Sequence, residues 1–178
     1  SPNEIFLTFN NSKMSGHAIG ISMEGIRPLT LEVQALVSSA VYGTPQRSSN
    51  GFNSKRLNML LAVLQKRAGI QLSNKDIFLN ITGGIKSEDP SLDLAVVSAI
   101  LSSYHDTPLN EKICFASEIG LSGELRSVIK LDKRISEAEK LGYEVFVTSR
   151  FKKEITTKKD IKILEVEKIE SLITNLFK

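Results

Sequence analysis

IFLNITGGIKSEDPSLDLAVVSAILSS, residues 77–103, is the stretch around which this chain is organised. Ile77, Leu79 and Ile81 alternate with Phe78, Asn80 and Thr82, the period-two pattern of a strand. Thr82-Gly83-Gly84 ends it. Asp89 is a good N-cap, and Pro90 suits the first helical position, where the N–H that proline lacks has no partner. Residues 92–101 are apolar on nearly every face, which predicts a helix deep in the fold. Ser91, in the first turn of that helix behind a glycine turn, is a candidate nucleophile.

Upstream, residues 1–15 are polar and broken apart from Ile5-Phe6-Leu7, and read as an arm leading into one domain over residues 16–178. Ile19, Ile21 and Met23 alternate with Ala18, Gly20 and Ser22, a first strand. Turn chemistry follows at Glu24-Gly25-Ile26-Arg27-Pro28. Leu29, Leu31, Val33, Ala35 and Val37 then alternate with Thr30, Glu32 and Gln34, so the two strands are predicted to pair as a hairpin. Residues 41–53, rich in Gly, Pro, Ser and Asn, read as a loop carrying Arg47. The spacing predicts a helix over 54–68 with Leu57, Leu60, Leu61, Leu64 and Ala68 as its core stripe. Lys55, Arg56, Lys66 and Arg67 lie opposite, but Met59 and Val63 sit among them. Either this helix is covered on two sides or its second face meets a partner.

Downstream, a strand is expected over 112–118, a tight turn at Gly120-Leu121-Ser122-Gly123-Glu124 and a short strand over 125–128. A helix over 132–141 ends at Gly142. Tyr143, Val145 and Val147 mark a strand, 151–159 a charged loop, 161–166 a strand and 167–177 a terminal helix. An early hairpin followed by alternating strands and helices predicts a mixed α/β fold.

Composition narrows the chemistry. The chain has 178 residues and a net charge of +3, enough for one well-cored domain but too little to demonstrate a polyanion partner. Cys114 is the sole cysteine, in an apolar run, and reads as a buried thiol; with His17 and His105 it makes no metal set, so no zinc is expected. No apolar run approaches a membrane span and no signal peptide is visible, which makes a cytoplasmic origin the default. Because Ser1 is not a methionine, the chain is read as a piece of something longer. Thr82-Gly83-Gly84-Ile85-Lys86-Ser87 only superficially resembles a phosphate loop: it lacks the first glycine at the required spacing and no helix follows directly. A solvated lysine in a loop is the simpler reading of Lys86.

Longer motifs carry a resemblance. Residues 88–95 (EDPSLDLA) with residues 116–124 (ASEIGLSGE) resemble the peptidase domain of Lon proteases. Met23-Glu24-Gly25-Ile26-Arg27-Pro28-Leu29, Glu32-Val33-Gln34-Ala35-Leu36-Val37 and Pro45-Gln46-Arg47 are closer to one branch, the C-terminal Lon-like domain of the bacterial RadA (Sms) family. So are Gly51-Phe52, Arg56-Leu57, Leu60-Leu61-Ala62-Val63-Leu64, Gly123-Glu124-Leu125-Arg126 and Arg134-Ile135-Ser136-Glu137-Ala138. The resemblance spans about residues 5–177. It implies an α/β fold like domain 2 of ribosomal protein S5, a role in recombinational DNA repair, and a hexameric ring. It also implies upstream zinc-finger and RecA-like ATPase domains absent from this chain, so ATP, Mg and Zn are expected there and no cofactor here. Other recombination proteins are possible partners.

In Lon the nucleophilic serine is served by a later lysine. Counting back from Gly142, that position is Asp132. Lys133 is adjacent, but one helical residue turns a side chain by about 100°, and Lys130 precedes the helix. Asp93 stands where Lon has a small glycine. Without a desolvated lysine the hydroxyl has no base, so Ser91 reads as vestigial and hydrogen-bonded to the helix end. Arg47, Arg56, Lys86 and Lys55 are the candidate contacts for DNA phosphates, independent of sequence; Arg27 and Arg126 are candidates for an interface or for DNA. A Ser–Lys peptidase and a purely structural docking scaffold are the alternatives.

Overall fold

A computed structural model describes residues 14–158 and 160–177; most of the N-terminal arm and the end of the basic loop lie outside these. The predicted hairpin forms first. β1 (His17–Glu24) and β2 (Arg27–Ser39) pair antiparallel from His17↔Gln34 to Glu24↔Arg27. β3 (Arg47–Asn50) leads into α1 (Ser54–Ala68), and β4 (Lys75–Ile81) pairs antiparallel with β2 and parallel with β3. Then come single 3-10 turns at Thr82–Gly84 and Pro90–Leu92 and the buried α2 (Asp93–Tyr104). β5 (Ile113–Ala116), β6 (Glu118–Ile119), β7 (Leu125–Arg126), α3 (Leu131–Lys140), β8 (Val145–Thr148), β9 (Lys162–Glu165) and α4 (Ile169–Phe177) complete the chain.

Among the described residues the main sheet has seven strands in the order β3-β4-β2-β1-β5-β8-β9, and of these only β2 runs against the rest. β6 and β7 form a separate ribbon. The mixed α/β class expected from the sequence is the one observed. Leu31, Val33, Leu79 and Ile81 of the sheet pack with α1, α2 and α4 in one core cluster. A second cluster joins Ile19, Ile21, Cys114 and Phe146 to Ile135 and Ala138 of α3. β1 is thus buried on both faces. Gly20 lets α2 approach it, since a Cβ there would lie 2.5 Å from Leu92 Cδ2 and 3.2 Å from Ala95 Cβ.

One expectation needs correcting, and one open alternative is resolved. Arg47 does not lie in a loop: Arg47-Ser48-Ser49-Asn50 is the edge strand β3, in register with Ile77-Phe78-Leu79-Asn80. Pairing to β4, not apolar alternation, makes it a strand. The second face of α1 is covered largely from within. Val63 is only 4% exposed and shares a core cluster with Ile169 and Leu172 of α4, while Met59 remains half-buried. A neighbouring subunit is therefore not required to explain Val63.

Candidate functional site

Asp89 caps the turn that carries Ser91, accepting the Ser91 amide at 3.0 Å through Oδ1. Its Oδ2 accepts the Met23 amide of β1 at 2.7 Å and Arg134 Nη1 of α3 at 2.8 Å. The same Nη1 reaches Ile21 O at 2.8 Å and Ser91 Oγ at 2.7 Å, while Arg134 Nε donates to Ile129 O at 2.8 Å. Ser91 and Arg134 are both fully buried. Burial pushes the Asp89 carboxyl up, but hydrogen bonds from Arg134 and the two amides more than offset it, and the group lies below its ordinary value.

The α3 residue that meets Ser91 is therefore Arg134, to which the sequence reading gave no role. Asp132 and Lys133 face solvent. The buried side of α3 is Arg134, Ile135, Ala138 and Glu139, and a residue two positions earlier points roughly the opposite way. A guanidinium does not lose its proton in a protein, so the group on Ser91 Oγ donates to it and cannot deprotonate it. Arg134 Nη2 is buried with no hydrogen-bond partner among the described residues.

A second clasp closes the other side of α2. Arg56 Nε donates to Asp93 Oδ1 at 2.5 Å and its Nη2 to Asp93 Oδ2, with Glu118 Oε1 at 3.4 Å. Asp93 is fully buried and also accepts the Ile119 amide at 3.0 Å. Its fork with Asp93 raises Arg56 above the ordinary guanidinium value; burial lifts Asp93 against the pull of Arg56 and the Ile119 amide. The Arg56 side chain keeps 29% of its exposure, so it reaches the surface only in part.

Between β3, the start of α1 and residues 86–89 opens a cleft of about 870 Å³. Asn53 caps α1, accepting the Arg56 amide at 3.0 Å and so holding Lys55 and Arg56 at the rim. The facing wall is fixed by the Ser87 amide on Gly51 O at 3.3 Å. Gly51 has φ +85°, and a Cβ there would lie 2.5 Å from Ile85 O, so this contact needs glycine. Lys55, Arg56 and Lys86, three of the four predicted DNA contacts, thus line one cleft with Asn50, Phe52 and Glu88.

Arg47 is not in that lining; its Nη2 donates to Leu72 O at 2.7 Å. Arg27 is exposed at the β1–β2 hairpin. Arg126, paired with Glu124 at 3.5 Å, lines a smaller cleft of about 290 Å³ that shares Arg56 and Met59 with the larger one. Among the described residues no group of three or more His, Cys, Asp or Glu is placed to hold a metal ion, and no helix is long and apolar enough to cross a membrane.

The chain is similar to proteins named DNA repair protein RadA. It is 40% identical to that of Streptococcus pneumoniae over 178 residues, 99% of this chain and 42% of the relative. Identity to the Bacillus subtilis protein is 41%, over 99% of this chain and 39% of the relative. For Listeria monocytogenes it is 38%, over 95% of this chain and 37% of the relative. The chain therefore spans about two fifths of the length of these relatives. A family model also matches residues 33–151, well over half of the chain, and by that match the chain belongs to the family described as subunit ChlI of Mg-chelatase.

Proposed function

We propose that this chain is the Lon-like, non-proteolytic DNA-contacting and oligomerising domain of a RadA-type protein, acting in the cytoplasm in homologous recombination and repair. The observation that carries the reading is the convergence of Lys55, Arg56 and Lys86, from two separate segments, on one cleft. Cations on both walls of a cleft suit a phosphate backbone, and contacts of this kind do not depend on base sequence. The non-proteolytic part is supported by the burial of Ser91 and by the proton-donating Arg134 on its hydroxyl. Branch migration of recombination intermediates would be driven by an ATPase domain, and ATP, Mg and Zn bound, in the part of the longer relatives that this chain does not span. A hexameric ring would sum modest basic faces over its subunits.

Lys55 and Lys86 are the primary contacts in this reading, with Arg56 supporting them from its pair with Asp93. A band-shift titration at two salt concentrations tests it. Lys55→Ala and Lys86→Ala are expected to weaken binding and to flatten its salt dependence by about one counterion each. Binding indifferent to salt and to both changes overturns the DNA assignment and leaves the scaffold reading, which the internal pairing of Arg56 and Arg126 favours. Casein cleavage abolished by Ser91→Ala would restore the peptidase.

A further inference from the structure

The large cleft has an acidic wall as well as basic rims. Glu88 and Asp89 both line it, and Asp93 lies behind Arg56. Asp93 is neutralised by its fork with Arg56 and Asp89 by Arg134 Nη1 at 2.8 Å. Arg134 is not in the lining; it is fully buried, reaching Asp89 from α3 on the far side of β1. Asp89 is its only ion-pair partner among the described residues, and Nη2 has no partner there. Lys55 and Lys86 therefore face Glu88 in the lining, with Glu24 held just behind it on Ser87 Oγ at 3.0 Å. Without Arg134 the Asp89 charge would be added to theirs, and the local balance would move one full charge toward the negative.

Walls of low dielectric carry such a change into the cleft, where it acts on every phosphate at once. We propose that Arg134 shifts the charge of this cleft from behind: it neutralises Asp89 without touching the ligand, and so lets Lys55 and Lys86 hold a nucleic-acid phosphate backbone. This rests on the reading that the cleft takes DNA. Arg134 is then a positioning and charge-setting residue, and its contribution follows its charge more than its hydrogen-bond geometry.

The test is fluorescence anisotropy of a labelled mixed-sequence oligonucleotide with the full chain, each variant checked for fold by circular dichroism. Arg134→Gln is expected to weaken binding about three- to tenfold. Arg134→Lys, which loses the guanidinium geometry but keeps the charge, is expected to stay within about twofold of the parent, and the neutral pair Arg134→Gln/Asp89→Asn to recover it. Equal losses in Arg134→Lys and Arg134→Gln, or no recovery in the double variant, overturn the proposal in favour of a purely structural arginine. Should Arg134→Gln not fold, Asp89→Asn carries the same test with opposite sign: binding about threefold tighter supports the proposal and unchanged binding overturns it. Lys55→Ala and Lys86→Ala run alongside. If they have no effect, the cleft reading itself has failed; if they weaken binding while the Arg134 series does not, only the inference has.

Discussion

Asp93 stands where a small residue would leave room, and its carboxylate has no access to water. Everything that makes its burial tolerable comes from Arg56 and the Ile119 amide. Removing Arg56 leaves a buried charge unpaired, so Arg56→Ala is expected to destabilise the chain by about 3–5 kcal/mol, read as a fall in the urea midpoint. Arg56→Ala/Asp93→Asn should recover part of that loss. Loss of DNA binding in Arg56→Ala alone is therefore weak grounds for a phosphate contact unless the double variant behaves likewise. Asp89 and Asp93 also pull the acid limb of stability in opposite directions. The folded Asp89 is depressed, so its contribution is present above the unfolded value and lost as pH falls through the folded one; Asp93 is raised, so its contribution is present at low pH and lost as pH rises. Asp89→Asn is expected to flatten the fall in stability through the acidic carboxylate range, and Asp93→Asn to steepen it, in denaturation followed across pH.

Among the elements, the hairpin and α1 were legible because their signals are local: strict alternation across a glycine turn, and a leucine stripe at helical spacing. β3 was not, since Arg47-Ser48-Ser49-Asn50 contains no apolar residue and becomes a strand only by lying along β4. Helix α3 hid the residue that matters most. Of its four buried residues two are charged, Arg134 and Glu139, so a hydrophobic count misjudges which side faces inward. Lys55, Arg56 and Lys86 were identifiable as basic loop-end residues, but their shared cleft depends on how residues 85–87 fold onto Gly51, which no spacing reveals. Gly51→Ala places a Cβ against the Ile85 carbonyl at positive φ, and should cost roughly 2–4 kcal/mol while weakening DNA binding by displacing Lys86. Gly20→Ala meets the movable end of Leu92 instead and should cost less, about 1–3 kcal/mol, with DNA binding retained. Comparing the urea midpoints and affinities of the two variants checks both.

At the scale of the whole molecule, the last helix closes what the first one leaves open. The Leu125 amide binds Glu167 O and the Ile169 amide binds Gly123 O, both at 2.9 Å, so the β6–β7 ribbon, α4 and the second face of α1 form one unit. Truncation before residue 168 would expose Val63 and Leu125 and is expected to lower stability by several kcal/mol, with increased dye binding to apolar surface. A truncated chain of unchanged urea midpoint would show that α4 is dispensable and would return the mixed face of α1 to an external partner. The small net charge of +3 likewise gains meaning only from placement, because Asp93 is matched by Arg56 in the cleft lining and Asp89 by Arg134 behind it.

Position 134 also bears on how such a site can drift over generations. A lysine there would still lie beside Asp89, and a neighbouring carboxylate favours the protonated ammonium; the exchange of arginine for lysine would leave Ser91 facing a proton donor. A neutral amine would appear only after Asp89 had also changed, and Asp89 caps the turn that holds the serine in place. A Ser–Lys dyad at this site would therefore take two coordinated changes, a lysine at 134 and a neutral cap such as asparagine at 89, and neither alone places a base on Ser91.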